Sequence, residues 1–192
     1  MKKLGLTLLA GLVSTSVFAA PVGTTFTGFG VGLDLTTTKY EDAKRATGVG
    51  IVADYGFDFG NNFIGLAEGK IKFNKSKLLD RRNGDNYARL DEKWRANLSY
   101  LQGYRVLPDL LPYVKVSYNV AKLESDVKEV VRDRTYSSHK EDTGNGLGLG
   151  IGVKYAVSSN FEVGAEYLRS RTKFDGDRVN ANTFGANATY RF

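Results

Sequence analysis

The chain contains no cysteine, which excludes a disulfide framework and any thiolate nucleophile or metal site. It has three prolines in 192 residues, so little interrupts extended backbone. After the first 20 positions no apolar run approaches ~18 residues, which excludes a membrane-spanning helix. Histidine occurs once, at 139. No HExxH, P-loop or paired metal-ligand spacing is present. What is abundant is glycine, with 22 residues, and Tyr and Phe, with 11 each. These residue types suit many strands.

The first segment has the form of an export signal. Lys2 and Lys3 supply a positive start, Leu4 to Val13 is a short apolar stretch, and Val17-Phe18-Ala19 is a small-residue cleavage pattern. The stretch is too short to span a bilayer as a helix, which takes ~20 residues. We therefore divide the chain into a signal peptide over 1–19, with cleavage after Ala20 as the alternative, and a single domain over 20–192. About 172 residues remain, enough for one domain. The net charge of +6 falls to +4 once Lys2 and Lys3 are removed. In an oxidising compartment, the lack of cysteine also avoids mispaired thiols.

Period-two alternation then recurs eight times, and a strand sends successive side chains to opposite faces. Thr27–Thr38 sets Phe29, Val31, Leu33 and Leu35 against Gly28, Gly30, Gly32 and Asp34. Gly48–Asp58 sets Val49, Ile51, Ala53, Tyr55 and Phe57 against Gly50, Asp54 and Asp58. Phe63–Phe73 sets Phe63, Ala67, Ile71 and Phe73 against Glu68, Lys70 and Lys72. Lys93–Tyr104 sets Trp94, Leu98 and Tyr100 against Arg95, Asn97 and Ser99. Tyr113–Ala121 sets Val114, Val116 and Tyr118 against Lys115, Ser117 and Asn119. Gly146–Tyr155 sets Leu147, Leu149, Ile151 and Val153 against three glycines and Lys154. Phe161–Leu168 sets Val163 and Tyr167 against Glu162 and Glu166. Thr183–Phe192 sets Phe184, Ala186, Ala188, Tyr190 and Phe192 against Asn187, Thr189 and Arg191.

The connections fall into two alternating classes. Gly60-Asn61-Asn62, Leu107-Pro108-Asp109-Leu110 and Val157-Ser158-Ser159-Asn160 are tight turns. The stretches 38–47, 74–91, 121–143 and 168–179 are longer and charged, and read as loops. The third, near Leu123–Arg132, is the one place expected to coil locally. Short and long connections in strict alternation predict an all-β fold, an eight-stranded antiparallel up-and-down transmembrane β-barrel. The short turns and both termini then face the periplasm.

The polar face carries Asp34, Asp54, Asp58, Glu68, Glu162 and Glu166 against Lys70, Lys72, Arg95, Lys115, Lys154 and Arg191. A barrel of eight strands is narrow enough for side chains to fill. Charges buried there must pair, because an unpaired one carries a heavy desolvation cost. The balance predicts a plugged polar lumen, with Asp34, Asp54, Glu68, Lys70, Arg95, Lys115, Lys154, Glu162, Glu166 and Arg191 as its charge network.

The chain resembles the small eight-stranded outer-membrane barrels of Gram-negative bacteria: the transmembrane domain of OmpA, OmpX and the opacity-type neisserial surface proteins. The resemblance covers the whole segment after the signal. It rests on the signal, on Gly28, Gly30 and Gly32 in the first strand, on Leu111-Pro112-Tyr113-Val114 and on the terminal Tyr190-Arg191-Phe192. It implies a place in the outer membrane, with Tyr190 and Phe192 read by the barrel-assembly machinery. Members serve as adhesins, membrane anchors, complement-evasion proteins or structural proteins, so the fold does not choose the function.

Ser137, Ser138, His139, Glu141 and Asp142 supply the residue types of a hydrolytic site. They are neighbours in one loop, whereas a triad is normally assembled from distant segments. No catalytic residue, metal ligand or cofactor is expected. Function is expected in the long connections, whose net charges are +1, +2, −1 and +2 in chain order. Lys75, Lys77, Arg81, Arg82, Arg169, Arg171 and Lys173 form a candidate basic patch facing lipopolysaccharide phosphates or sulfated host glycans. The expected protein is a monomeric structural or adhesive surface protein. Its partners are outer-membrane lipid, lipopolysaccharide and host glycans or proteins, with no nucleic acid among them. The alternative is a narrow porin-like channel or a lipid-A-modifying barrel enzyme.

Overall fold

The computed structural model describes residues 25–41, 45–83, 86–131, 134–174 and 177–192. The signal segment over 1–19 lies outside these residues. Among the described residues nine strands follow one another: β1 (Gly28–Tyr40), β2 (Arg45–Asp58), β3 (Phe63–Lys72), β4 (Ser76–Asn83), β5 (Asn86–Tyr104), β6 (Leu110–Val131), β7 (Arg134–Ala156), β8 (Phe161–Phe174) and β9 (Asp177–Arg191). No helix long and apolar enough to cross a membrane is found among the described residues. All pairings are antiparallel, in the order β3-β2-β1-β9-β8-β7-β6-β5-β4, with β3 also paired to β5. The result is an all-β, barrel-like sheet.

The ninth strand departs from the eight that alternation predicts. Both β3 and β4 pair with β5, β3 along Arg95–Tyr104 and β4 along Asn86–Glu92. They share one line of pairing, interrupted between Lys72 and Ser76. The long connections also differ from the expected loops. β6 runs on to Val131 and β7 begins at Arg134, so the stretch expected to coil is a β-hairpin as far as it is described. The hydrophobic alternation fades there because both faces of the hairpin are wet. The ladder persists because each strand still has a neighbour to bond. Opposite charges also stand directly across from one another, as in the row Arg89, Asp126 and His139.

The short turns match their expected residues. Gly60, Asn61 and Asn62 all adopt positive φ, the left-handed region that Gly and Asn tolerate best. Asp58 Oδ1 accepts the Gly60 amide at 2.7 Å. Asp58 is exposed at this turn, which corrects its expected place on the inner face.

Burial is inverted relative to a water-soluble domain. The outward face is an apolar belt, with Leu33, Leu98 and Leu149 each more than 60% exposed. So large an apolar surface marks contact with another apolar phase. Aromatic pairs flank the belt: Phe63–Tyr104 and Tyr190–Phe192 near the short turns, Tyr167–Phe184 near the long hairpins. The inward face is polar in its middle and apolar at both ends. Phe26, Ile64, Leu66, Leu101, Leu111 and Tyr113 pack at the short-turn end. Tyr40, Ala46, Leu78 and Ala181 pack at the hairpin end.

Candidate functional site

The lumen charges stack in three tiers. In the lowest, Asp54 of β2 meets Lys154 at 2.7 Å and Arg191 at 2.8 Å. Glu162 of β8 takes a second bond from Arg191 at 2.5 Å, and Arg191 also donates to the Gly28 carbonyl at 2.8 Å. Four strands are tied together here by two acids and two bases.

The middle tier joins β1, β3, β6 and β8. Lys70 lies 2.8 Å from both Asp34 and Glu166. Lys115 lies 2.7 Å from Glu68 and 3.0 Å from Glu166. The Tyr113 hydroxyl donates to Glu166 at 3.2 Å. Its ring fits because position 152 is glycine, where a Cβ would stand 2.4 Å from the phenol.

The upper tier is centred on Glu92, which accepts from Lys72 at 2.6 Å, from Arg95 at 2.9 Å and from the Tyr40 hydroxyl. Arg95 also donates to Thr38 at 2.6 Å. Sequence reading places Glu92 outside the fourth strand and misses it. The cause is an irregularity at Lys93: Glu92 opposes Leu123 while Trp94 opposes Lys122. The extra residue shifts the alternation by one and turns Glu92 inward. A charged Glu three residues before an inward Arg is the only sequence clue.

All ten residues expected in the lumen network are buried, as are Lys72 and Glu92. With Glu92 counted and Asp58 removed, the lumen holds six acids and six bases among the described residues. A lumen cavity of about 20 Å3 lies between Asp34, Lys70, Lys72, Arg95 and Lys115, room for about one water. The apolar end clusters are the second feature the sequence reading misses. Their signal is a pair of adjacent apolar residues, such as Phe63-Ile64 and Leu110-Leu111, where one face alone would need only one.

The outer rim differs from side to side. Around β5–β7 Lys75, Lys93 and Lys122 are tied to acids. Lys75 meets Asp91 at 3.0 Å and Glu124 at 2.7 Å. Lys93 meets Glu124 at 2.9 Å and Glu141 at 3.2 Å, and Lys122 meets Glu141 at 2.7 Å. Hydrogen bonds from Lys75 and then Lys93 hold the Glu124 carboxyl down to about 2. His139 Nδ1 lies 2.6 Å from Asp126, a contact that raises the imidazole above its ordinary value. Glu124, His139 and Glu141 carry potential metal-ligand atoms within 4.8 Å of one another, but Lys93 already lies between the two carboxylates. Ser138 does not share the His139 face, since alternate residues of a strand point opposite ways.

The seven residues of the expected basic patch are not brought together. Lys75 is neutralised on the β3–β4 side, where Lys77 and Arg82 are exposed. The Arg81 side chain lies outside the described ones. Arg169, Arg171 and Lys173 stand exposed on β8, on another side of the sheet.

Comparison with known proteins adds a family and a fold. The family described as outer membrane protein beta-barrel domain matches residues 5–192. The attachment invasion locus protein Ail of Yersinia pestis, in complex with the heparin analogue sucrose octasulfate, aligns with a TM-score of 0.54 at 17% identity, over 85% of this chain and 96% of Ail. Neisserial surface protein A aligns with a TM-score of 0.51 at 18% identity, over 86% of this chain and 98% of that protein. Comparison with curated protein sequences gives no match.

Proposed function

Because the chain belongs to the outer membrane protein β-barrel domain family, we propose that it is a non-enzymatic surface protein of the Gram-negative outer membrane. In this reading β3 and β4 form one interrupted wall strand, so the wall has the eight members that alternation predicts. Residues 1–19 are the export signal, the short turns and both termini are periplasmic, and the long hairpins project outward. Tyr190 and Phe192 are the assembly signal, and the protein acts as a monomer. The hairpins take part in adhesion or another surface contact, through lipopolysaccharide or host glycans and proteins. Ail's complex with a sulfated sugar supports the choice of anionic sugars as the ligand class.

The observation that carries this reading is the lumen. Its six acids and six bases are mutually paired, and apolar clusters close both ends. A charge moving through would have to break buried ion pairs, each costing several kcal/mol. A transport role therefore fits poorly, and the solvent-facing hairpins are left to carry the function. The test is electrical. Refolded protein, shown by its heat-modifiable mobility to be folded, is expected to give no conductance steps when fused into a planar bilayer from proteoliposomes. Reproducible unitary steps would restore the porin-like alternative.

A further inference from the structure

We infer that the outer face of β2-β1-β9-β8, just above the aromatic belt, is a built site for the phosphorylated sugar headgroup of an outer-leaflet glycolipid. The inference rests on the outer-membrane reading and gives its anionic-sugar contact a place. The registers put Arg45 opposite Lys39, Lys39 opposite Asn182, and Asn182 opposite Arg169. Residues directly across a ladder share a face, so these four form one row over four strands. At ~4.8 Å per strand, the row is about 14 Å long, the scale of a disaccharide with a charge at each end. Above it, Arg171 stands opposite Asn180 and Lys173 opposite Arg178.

Two features of the row point to a ligand. The first is like-charge opposition. Lys39 faces Arg45 and Lys173 faces Arg178 directly across the ladder, an arrangement that is destabilising on its own. Neither pair has a carboxylate partner among the described residues. The described acid at this level, Glu41, is held by Asn180 at 3.0 Å. Around β5–β7 the chain sets Lys75, Lys93 and Lys122 between acids, whereas these directly opposed cation pairs stand without a described one. On the other side the like-charge row Asp91, Glu124 and Glu141 is bridged by Lys75, Lys93 and Lys122; here no described carboxylate does the same for the cations, and an anion bound between them would relieve the repulsion.

The second feature is height. The row directly below is Thr47, Thr37, Phe184 and Tyr167. Phe184 and Tyr167 are in ring contact at 5.0 Å between centroids, and the Tyr167 hydroxyl donates to Asn182 Oδ1 at 2.8 Å. The cations therefore begin two residues, about 7 Å along the strand, above the belt that would sit at the membrane boundary. Phosphates attached to acyl-bearing sugars reach that level, and Arg suits them through its bidentate donors. A soluble polyanion would have no reason to sit so low.

The probe is lipid A carrying both phosphates, mixed into phosphatidylcholine vesicles that hold the refolded full chain. The row variant K39Q/R45Q/R169Q is expected to bind it at least about tenfold more weakly than wild type, as charge-assisted contacts are lost. The gap should narrow at high salt. K173Q/R178Q is expected to lose less, and K122Q on the paired side nothing. Dephosphorylated lipid A should bind all four proteins equally weakly. In lipid-A-free detergent the row variant should melt no lower than wild type, because repulsion is relieved, so weak binding there is not misfolding. Wild-type affinity in the row variant overturns the proposal. So does equal affinity of wild type for phosphorylated and dephosphorylated lipid. A loss confined to a soluble sulfated oligosaccharide overturns it in favour of a free-glycan site. Failure of the chain to insert in vesicles at all refutes the outer-membrane reading itself, and is seen before lipid A is added.

Discussion

Glu92 is the acid on which the most depends. Asp54, Glu68 and Glu166 each share a cation with another acid, so losing one leaves its cations a second partner. Lys72 and Arg95 have only Glu92 among the described carboxylates. Glu92→Ala would leave two buried cations unpaired. It should cost about 3–5 kcal/mol, the range for breaking a buried pair, measured by denaturant unfolding of the refolded protein in micelles. Glu68→Ala should cost less, since Lys115 keeps Glu166. Equal unfolding midpoints for wild type and Glu92→Ala would refute the account of the upper tier. His139 gives a second test at this scale, since a chain with one histidine has one imidazole resonance to follow. Its hydrogen bond to Asp126, aided by the nearby acids, raises its protonation midpoint above the ordinary 6.5. A raised folded value means the contact stabilises the hairpin fully below 6.5 and is lost as pH rises through that folded value. Asp126→Asn should lower the NMR titration midpoint, and an unmoved midpoint would show that the contact is absent. Alternation alone marks ten inward charges, and all ten are buried. It errs at Asp58, where the strand ends in a turn, and at Glu92, where one extra residue shifts the count.

The strands were legible where one face meets an apolar phase and the other does not, because that asymmetry writes itself into the residues. Val114, Val116 and Tyr118 against Lys115, Ser117 and Asn119 can be assigned by inspection. Beyond the belt the same strand continues through Glu124, Ser125 and Asp126 with no such contrast, and the reading stops. What holds the extension is backbone pairing and opposed charge, neither visible in hydropathy. This division predicts that the β6–β7 extension is an addition to the wall and not part of what folds it. Glu124 and Glu141 oppose one another in register, so Ser125–Lys140 can be replaced by Asn-Gly, which favours the tight hairpin turn. The shortened protein should keep its heat-modifiable form and nearly all of its thermal stability, because exposed ion pairs contribute only about 0–1 kcal/mol each. Loss of the folded form would mean that the hairpin nucleates the wall.

On the scale of the whole molecule, three sets of residues define the protein. The belt sets its depth, the paired lumen charges tie distant strands to one another, and the rim charges differ between its two sides. Lys70 bonds across 96 positions of sequence to Glu166 and Lys154 across 100 to Asp54. Such contacts cannot be read from local pattern, although their necessity follows from charge balance in a narrow lumen. The partition of free and paired cations was equally hidden, because it depends on which strands become neighbours. The central claim is that the long hairpins face outward and the short turns inward across an outer membrane. The lack of cysteine allows a clean test with single cysteines and a membrane-impermeant maleimide on intact cells. Tyr136→Cys lies on the β6–β7 hairpin, where Tyr136 is 59% exposed, and Ser159→Cys lies in the short turn after β7. The account predicts labelling at 136 in intact cells and at 159 only after the outer membrane is permeabilised. Labelling at 159 but not at 136 in intact cells would contradict it.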